Sequence, residues 1–351
     1  MLVALSAIAA FLPLADHLGY ELCELVALCA GMLGAAPGIA AARLESSRED
    51  GQAARAVARG VVVAVGALAI PIAIILLNGL RRPVCDPIAG LVLYLALPVP
   101  SAVLAAALGV AAGFMAPRRA GWLVAAVFVA ALLAAIWPLL RGPQVFAFDH
   151  LAGMFPGPLY DEAIRPTRAL WIFRGATLLY AGACAGIALL TGKKPRRRAG
   201  TVLVAVCGSA ALFLSSQAER FHWKASEARL DEALGATLRT DHLVLHFPGE
   251  KTEEERRLLA REAEVSWRAV RDFAGLVPEA APVHVFLYRS PAEKRRLIGA
   301  AETSFTKPWL RQIHMNDGPA PQPILRHELA HAAFADIAPG PFGVPGGVLP
   351  R

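Results

Sequence analysis

The chain has 351 residues, 56% of them hydrophobic, with a mean hydropathy of +0.48. That is too apolar for an ordinary soluble domain and implies several spans of a lipid bilayer. The formal charge of +7 is uneven, with 17 Lys and Arg against 10 Asp and Glu before Gln217 and 18 against 18 from there on; a basic excess confined to loops between apolar runs follows the positive-inside bias and argues against a nucleic-acid partner.

The opening run "MLVALSAIAAFLPLADHLGY" is apolar for only about 14 residues and lacks a basic n-region, so it reads as a short first span rather than a signal peptide. Longer apolar stretches, near the ~20 residues a spanning helix needs, follow at 21–42, 57–80, 88–115, 120–140, 169–191 and 200–216. The expected fold class is an all-α polytopic membrane domain with six or seven transmembrane helices over 1–216, then a juxtamembrane helix over 217–240, then an α+β region. The five cysteines, Cys23, Cys29, Cys85, Cys184 and Cys207, all precede that last region, so it contains no internal disulfide.

Alternate loops differ in charge. One set, "RLESSREDGQAARAVAR" (43–59), "PRR" (117–119) and "KKPRRR" (193–198), carries eleven basic residues; the other carries Arg81, Arg82, Arg141, Arg165 and Arg168. The first set is expected to face the cytoplasm, which sends everything beyond about Gln217 to the extracytoplasmic side. The long outer loop from Arg141 to Arg168 mixes aromatics with Asp149, His150, Asp161 and Glu162 and reads as interfacial, with a lid as the alternative. Glu21 and Glu24 open a span and read as acids that reach water from a helix end rather than as an ion path.

From residue 219 the pattern turns to mixed charge. "ERFHWKASEARLDEALGATL" reads as an amphipathic helix, "DHLVLHF" (241–247) as a strand, "KTEEERRLLAREAEVSWRAVRDFAGL" as a long helix, "VHVFLY" (283–288) as a strand, "PAEKRRLIGA" as a short helix and "RQIHMND" (311–317) as a third strand.

The segment "PILRHELAHAAFAD" (323–336) carries the chemistry. Proline suits the first turn of a helix, and on a helix His327 and His331 at i and i+4 project from one face, where two imidazoles can grip one zinc ion. Glu328 is placed to accept a proton from water whose pKa the metal lowers from about 15.7 toward about 7. Leu329, Ala330, Ala332 and Ala333 supply surface for packing the helix on a sheet. Asp336, five residues past His331, is a candidate to support a ligand histidine, with a solvated helix end as the alternative.

The run "TDHLVLHFPG", a long helix, "PVHVFLY", and "RQIHMND" leading into "ILRHELAHA" resembles the peptidase MA-like domain of gluzincin metallopeptidases over about 240–351. The resemblance implies a partial α+β zincin-like domain over 241–351 that acts on a peptide or protein substrate. It implies Zn2+ as cofactor, His327 and His331 as ligands, Glu328 as catalytic base, and the strand residues Ile313, His314, Met315 and Asn316 along the substrate cleft. The family's third ligand is a glutamate on a later helix. No Asp or Glu occurs between Ile337 and Arg351, so the chain reads as truncated, with that ligand expected beyond Arg351.

Two other readings stay open. "HELAHAAFAD" is also similar to the motif of membrane zinc endopeptidases related to the CAAX-processing protease, whose catalytic side normally faces the cytoplasm. The third reading is a non-catalytic transporter or scaffold with a degenerate zincin domain.

Overall fold

A computed structural model describes residues 7–81, 86–157, 164–192, 194–276 and 281–337, with backbone alone for 334–337. The chain divides into two compact units. The first comprises Met1–Trp137, Ala147–Phe155 and Ile164–Trp223, and the second Pro138–Phe146, Pro156–Ala163 and Lys224–Arg351.

Among the described residues six helices are long and apolar enough to cross a membrane, all in the first unit except for the last four residues of the fourth: Tyr20–Ser47, Ala53–Asn78, Pro87–Met115, Ala120–Arg141, Arg168–Thr191 and Arg197–Ser216. Three are interrupted, giving α1 (Tyr20–Leu33) and α2 (Ala35–Ser47), α3 (Ala53–Ala67) and α4 (Ala69–Asn78), and α5 (Pro87–Ala96) and α6 (Pro98–Met115). The last break follows from Pro98 and Pro100, which have no N–H for the carbonyls four residues back. The other three helices, α7 (Ala120–Arg141), α8 (Arg168–Thr191) and α9 (Arg197–Ser216), run without such a break. Of the opening apolar run before Tyr20, residues 7–9 are helical among the described residues.

Small residues let α2 and α6 touch backbone to backbone. A Cβ on Gly38 would lie 2.2 Å from the Ala106 carbonyl oxygen, and one on Gly109 would lie 2.2 Å from that of Ala35.

The loop after α7 does not stay at the surface of its unit. Strands β1 (Ala147–Asp149) and β2 (Gly153–Phe155) pair antiparallel, and Asp149 Oδ1 accepts the N–H groups of Leu151 and Ala152 in the turn. Tyr20 donates its hydroxyl to the Met154 carbonyl (2.6 Å), and Glu24 Oε2 accepts the Met154 N–H (3.2 Å). Arg174, buried on α8, donates to the carbonyls of Asp149, His150 and Leu97, the last at the α5–α6 break. His150 stacks on Phe173, ring centroids 4.1 Å apart.

A Cβ on Gly31 would come 2.2 Å from the Leu151 carbonyl oxygen. Gly31 stands eleven residues past Tyr20, so the hairpin tip reaches about 16 Å along α1 at 1.5 Å per residue. Non-helical backbone at such a depth needs partners for its polar groups, and Tyr20, Glu24, Asp149 and Arg174 supply them. Within the described part of this stretch Ala147, Leu151, Ala152 and Met154 are buried, and Glu24 is engaged by the hairpin backbone. Asp161 and Glu162 lie outside the described residues.

The second unit is a five-stranded sheet in the order β3-β4-β5-β7-β6. Its strands are β3 (Gly235–Arg239), β4 (Leu243–Pro248), β5 (Val283–Tyr288), β6 (Phe305–Lys307) and β7 (Gln312–Asn316). β4, β5 and β7 run parallel, and β3 and β6 are antiparallel at the two edges. Parallel strands must be covered on both faces, and the alternation of β5 provides for this. Val283, Val285 and Leu287 point into a core with Leu259, Trp267, Leu325 and Leu329 from α11 (Glu253–Ala274) and α13 (Pro323–Ile337). Phe286 and Tyr288 point into a second core with Leu230 and Leu234 of α10 (Glu227–Leu234) and Leu297 and Ile298 of α12 (Pro291–Ile298).

Two expectations change here. The helix expected over 217–240 is confined to Glu227–Leu234, because Gly235 adopts φ 90 at its C-terminus and the chain turns into β3. The sheet has five strands rather than the three expected, the additional ones being the edges β3 and β6.

Gly31→Val should drive a side chain into the hairpin backbone and lower the thermal midpoint of the detergent-solubilised protein by several degrees, overpacking costing about 1–3 kcal/mol or more. Gly66→Val, where a Cβ meets nothing within 4 Å, is the control and should leave the midpoint nearly unchanged.

Candidate metal centre

Helix α13 is positioned by its apolar face. Leu325, Leu329, Ala332 and Ala333 are buried against the β-sheet and α11. Its start is fixed where Glu262 of α11 accepts the Gln322 N–H and Gln322 Nε2 donates to the Gly318 carbonyl (2.8 Å). With that face inward, His327 and His331 emerge on the exposed side. Their Nε2 atoms are 3.1 Å apart and the rings are nearly perpendicular, at 86°. Two zinc bonds of about 2.05 Å at a tetrahedral angle would place the nitrogens about 3.3 Å apart, so the pair needs little adjustment to share one ion.

Glu328 leaves the helix in another direction and is only 5% exposed. Thr306 of β6 donates its hydroxyl to Glu328 Oε2 at 2.6 Å, and the Glu328 backbone carbonyl is 3.1 Å from the same hydroxyl. The next residue, Lys307, is also buried, and its Nζ donates to the carbonyls of Leu139 (2.9 Å), Gly142 (2.8 Å) and Gln144. Burial pushes the Lys307 ammonium down to about 8. Trp309 adds a bond from its indole N–H to the Leu140 carbonyl (2.8 Å). Neither Thr306 nor Lys307 was a candidate from sequence. "SFTKPW" gives a three-residue strand, too short to show a period of two.

β7 is placed differently from the expectation for a cleft strand. It lies between β5 and β6, and Ile313, His314 and Met315 are buried within the sheet layers. Asn316 Nδ2 donates to the Ala301 carbonyl (2.9 Å). The edge on the α13 side of the sheet order is β6, so an extended chain approaching that edge meets β6 and not Ile313–Asn316. Asp336 lies within α13, but its side chain is outside the described residues, as is the Pro- and Gly-rich run after Ile337.

His314 belongs to a column of stacked rings on the other face of the sheet. Phe286 and Phe305 flank it at centroid distances of 4.9 Å each, and His246 stacks on Phe286 at 4.2 Å. Tyr288 Oη and His314 Nδ1 are 2.9 Å apart. Burial, with the nearby cations Lys307 and Lys294, holds His314 well below the usual histidine range. Burial also lowers His246, against the opposing pull of Asp231.

Among the described residues, no third metal-ligating side chain joins His327 and His331; the one group of three that gathers is Asp241, His242 and Glu264. There Glu264 Oε1 accepts from the Thr240 hydroxyl (2.6 Å) and the His242 N–H (2.9 Å), and Arg268 contacts both acids. Burial would raise the Glu264 carboxyl, but the hydrogen bonds from Thr240 and His242 outweigh it and hold the group below its ordinary range. The group acts as a clasp between α11 and the start of β4.

Acid should weaken the second unit through its buried imidazoles. An unfolded histidine takes up its proton near pH 6.5, whereas folded His314 and His246 do so only at lower pH. Their contribution is therefore complete above about pH 6.5 and is lost as the pH falls below it. The thermal midpoint should drop between pH 7.5 and 5, and His314→Gln should flatten that slope; an unchanged slope in the variant would remove His314 as a source.

Comparison of the chain with protein-family models, with curated proteins and with solved structures found no match.

Proposed function

We propose that the protein is a membrane-anchored zinc-dependent metallopeptidase, of the gluzincin type, that hydrolyses peptide bonds on the extracytoplasmic side. The observation that carries this reading is the pair of exposed imidazoles with converging Nε2 atoms on α13, adjacent in sequence to a carboxylate that is buried and held by a neighbouring strand. A solvated helix bearing two histidines would have no reason to bury the intervening glutamate.

The donor set fits a borderline divalent cation, since neutral imidazole nitrogens suit Zn2+. His327 and His331 would hold it through Nε2. When bound, Zn2+ would supply a Lewis acid that acidifies water and polarises a peptide carbonyl. Glu328 takes the proton from the attacking water and returns it to the leaving amine. With Oε2 engaged by Thr306, Oε1, which takes no hydrogen bond among the described residues, would accept that proton. β6 is the terminal strand of the sheet order, and its outer backbone groups would pair with an extended substrate segment by strand addition. A catalytic zinc site takes three protein ligands, so the reading requires one further donor from elsewhere in the protein.

In the full-length protein, His327→Ala should abolish zinc retention at this pair. Glu328→Gln should keep the metal and lose hydrolysis of a general protein substrate such as casein by about 100- to 10,000-fold. Hydrolysis retained in Glu328→Gln would sink the proposed base.

The side of the membrane rests on the eleven Lys and Arg of the loops at 43–59, 117–119 and 193–198. A compartment reporter fused after residue 230 should be active outside the cytoplasm. Cytoplasmic activity would instead favour the arrangement of CAAX-type membrane endopeptidases.

A further inference from the structure

On the sheet face opposite α13, a second pair of imidazoles meets nitrogen to nitrogen. His246 of β4 and His284 of β5 bring Nε2 and Nδ1 to 3.0 Å, nearly the separation of the His327–His331 pair. The other ring nitrogen of His246 makes an ion-pair contact with Asp231 Oδ1 on α10 and lies 3.4 Å from the Thr237 hydroxyl of β3. A carboxylate behind a histidine fixes its tautomer, so that the opposite nitrogen presents a lone pair, and this is the usual support of a metal-binding imidazole.

A third donor adjoins them. Gln312 of β7 is the direct cross-strand partner of His284, and side chains so paired share one face of the sheet. Gln312 is 1% exposed; its Nε2 donates to Glu227, while its Oε1 is buried with no hydrogen-bond partner among the described residues. A buried acceptor without a donor calls for an occupant. Glu227 and Asp231 are one turn apart on α10 and brace the two ends of the row, and Leu230 between them is buried in the core below. The Asp231 side chain is 45% exposed and His284 is half-buried, which leaves an entry from solvent.

We propose that His246 and His284, with Gln312 Oε1 completing the donor set and Asp231 orienting His246, form a second binding site for a zinc-class divalent cation, separate from the His327–His331 pair. Two imidazoles and an amide oxygen suit a borderline ion with one position left for water. The ion would tie β4 to β5 and, through Asp231, both strands to α10. The site stands independently of the peptidase reading, because none of its residues belongs to α13.

The test is equilibrium dialysis of the full-length protein against Zn2+, with the bound metal counted. The His327→Ala, His331→Ala double variant should still retain one equivalent. Adding His284→Gln, at a half-buried position that tolerates the change better than His246, should release it with the circular-dichroism spectrum unchanged. Asp231→Asn should weaken retention about 10- to 100-fold. A double variant that dialyses free of zinc overturns the proposal, as does undiminished retention after His284→Gln. If wild type and the double variant both hold the same single equivalent, the second site stands and the assignment of zinc to His327 and His331 falls.

Discussion

Along β6 the side chains of Thr306 and Lys307 leave the strand on opposite faces, as successive residues of any strand do. Thr306 holds the Glu328 carboxylate, and Lys307 fills the carbonyls of Leu139, Gly142 and Gln144. A one-residue slip of β6 against β7 would exchange these faces and leave both a buried carboxylate and a buried ammonium unsatisfied. The pairing of Thr306 with Ile313 and of Lys307 with Gln312 is therefore constrained from both faces. The orientation of the candidate base is a property of sheet register as much as of the helix that carries it.

The apolar half of the second unit was legible in the sequence because it obeys simple periods. "VHVFLY" is a short apolar run and "RQIHMND" alternates, and "ILRHELAHAAF" buries Leu325, Leu329, Ala332 and Ala333 while exposing both histidines. The edge strands were not legible. β3 was absorbed into an amphipathic helix because "ARLDEALGATL" keeps helical spacing up to Gly235, and only the left-handed backbone at that glycine ends the helix. β6 is three residues long and is set by its contacts rather than by its own pattern. The histidine column was equally hidden, since His246, His284 and His314 lie on three different strands and only the sheet order brings them together.

In the first unit, hydropathy located the six long helices but could not reveal their interruptions or the hairpin between α7 and α8. A nine-residue stretch with aromatics, Asp149 and His150 reads in sequence as an interfacial loop. It is buried because Arg174, Glu24 and Tyr20 satisfy its backbone groups, and because Gly31 has no side chain where Leu151 approaches. Those partners are scattered over 150 residues of sequence, each unremarkable alone.

The interleaving of the chain bears on how the second unit could be handled as a separate object. Its members Pro138–Phe146 precede Lys224–Arg351 by nearly eighty residues, and they carry the carbonyls that receive Lys307 and Trp309. A fragment cut at Lys224 would keep the sheet and the histidine pair yet strand a lysine in the interior with its three acceptors gone. Such a fragment must either rearrange around β6 or neutralise Lys307, and β6 is the strand that holds Glu328. Dissection by domain boundary would thus damage the candidate base first, and a faithful excised version would have to graft 138–146 back ahead of residue 224.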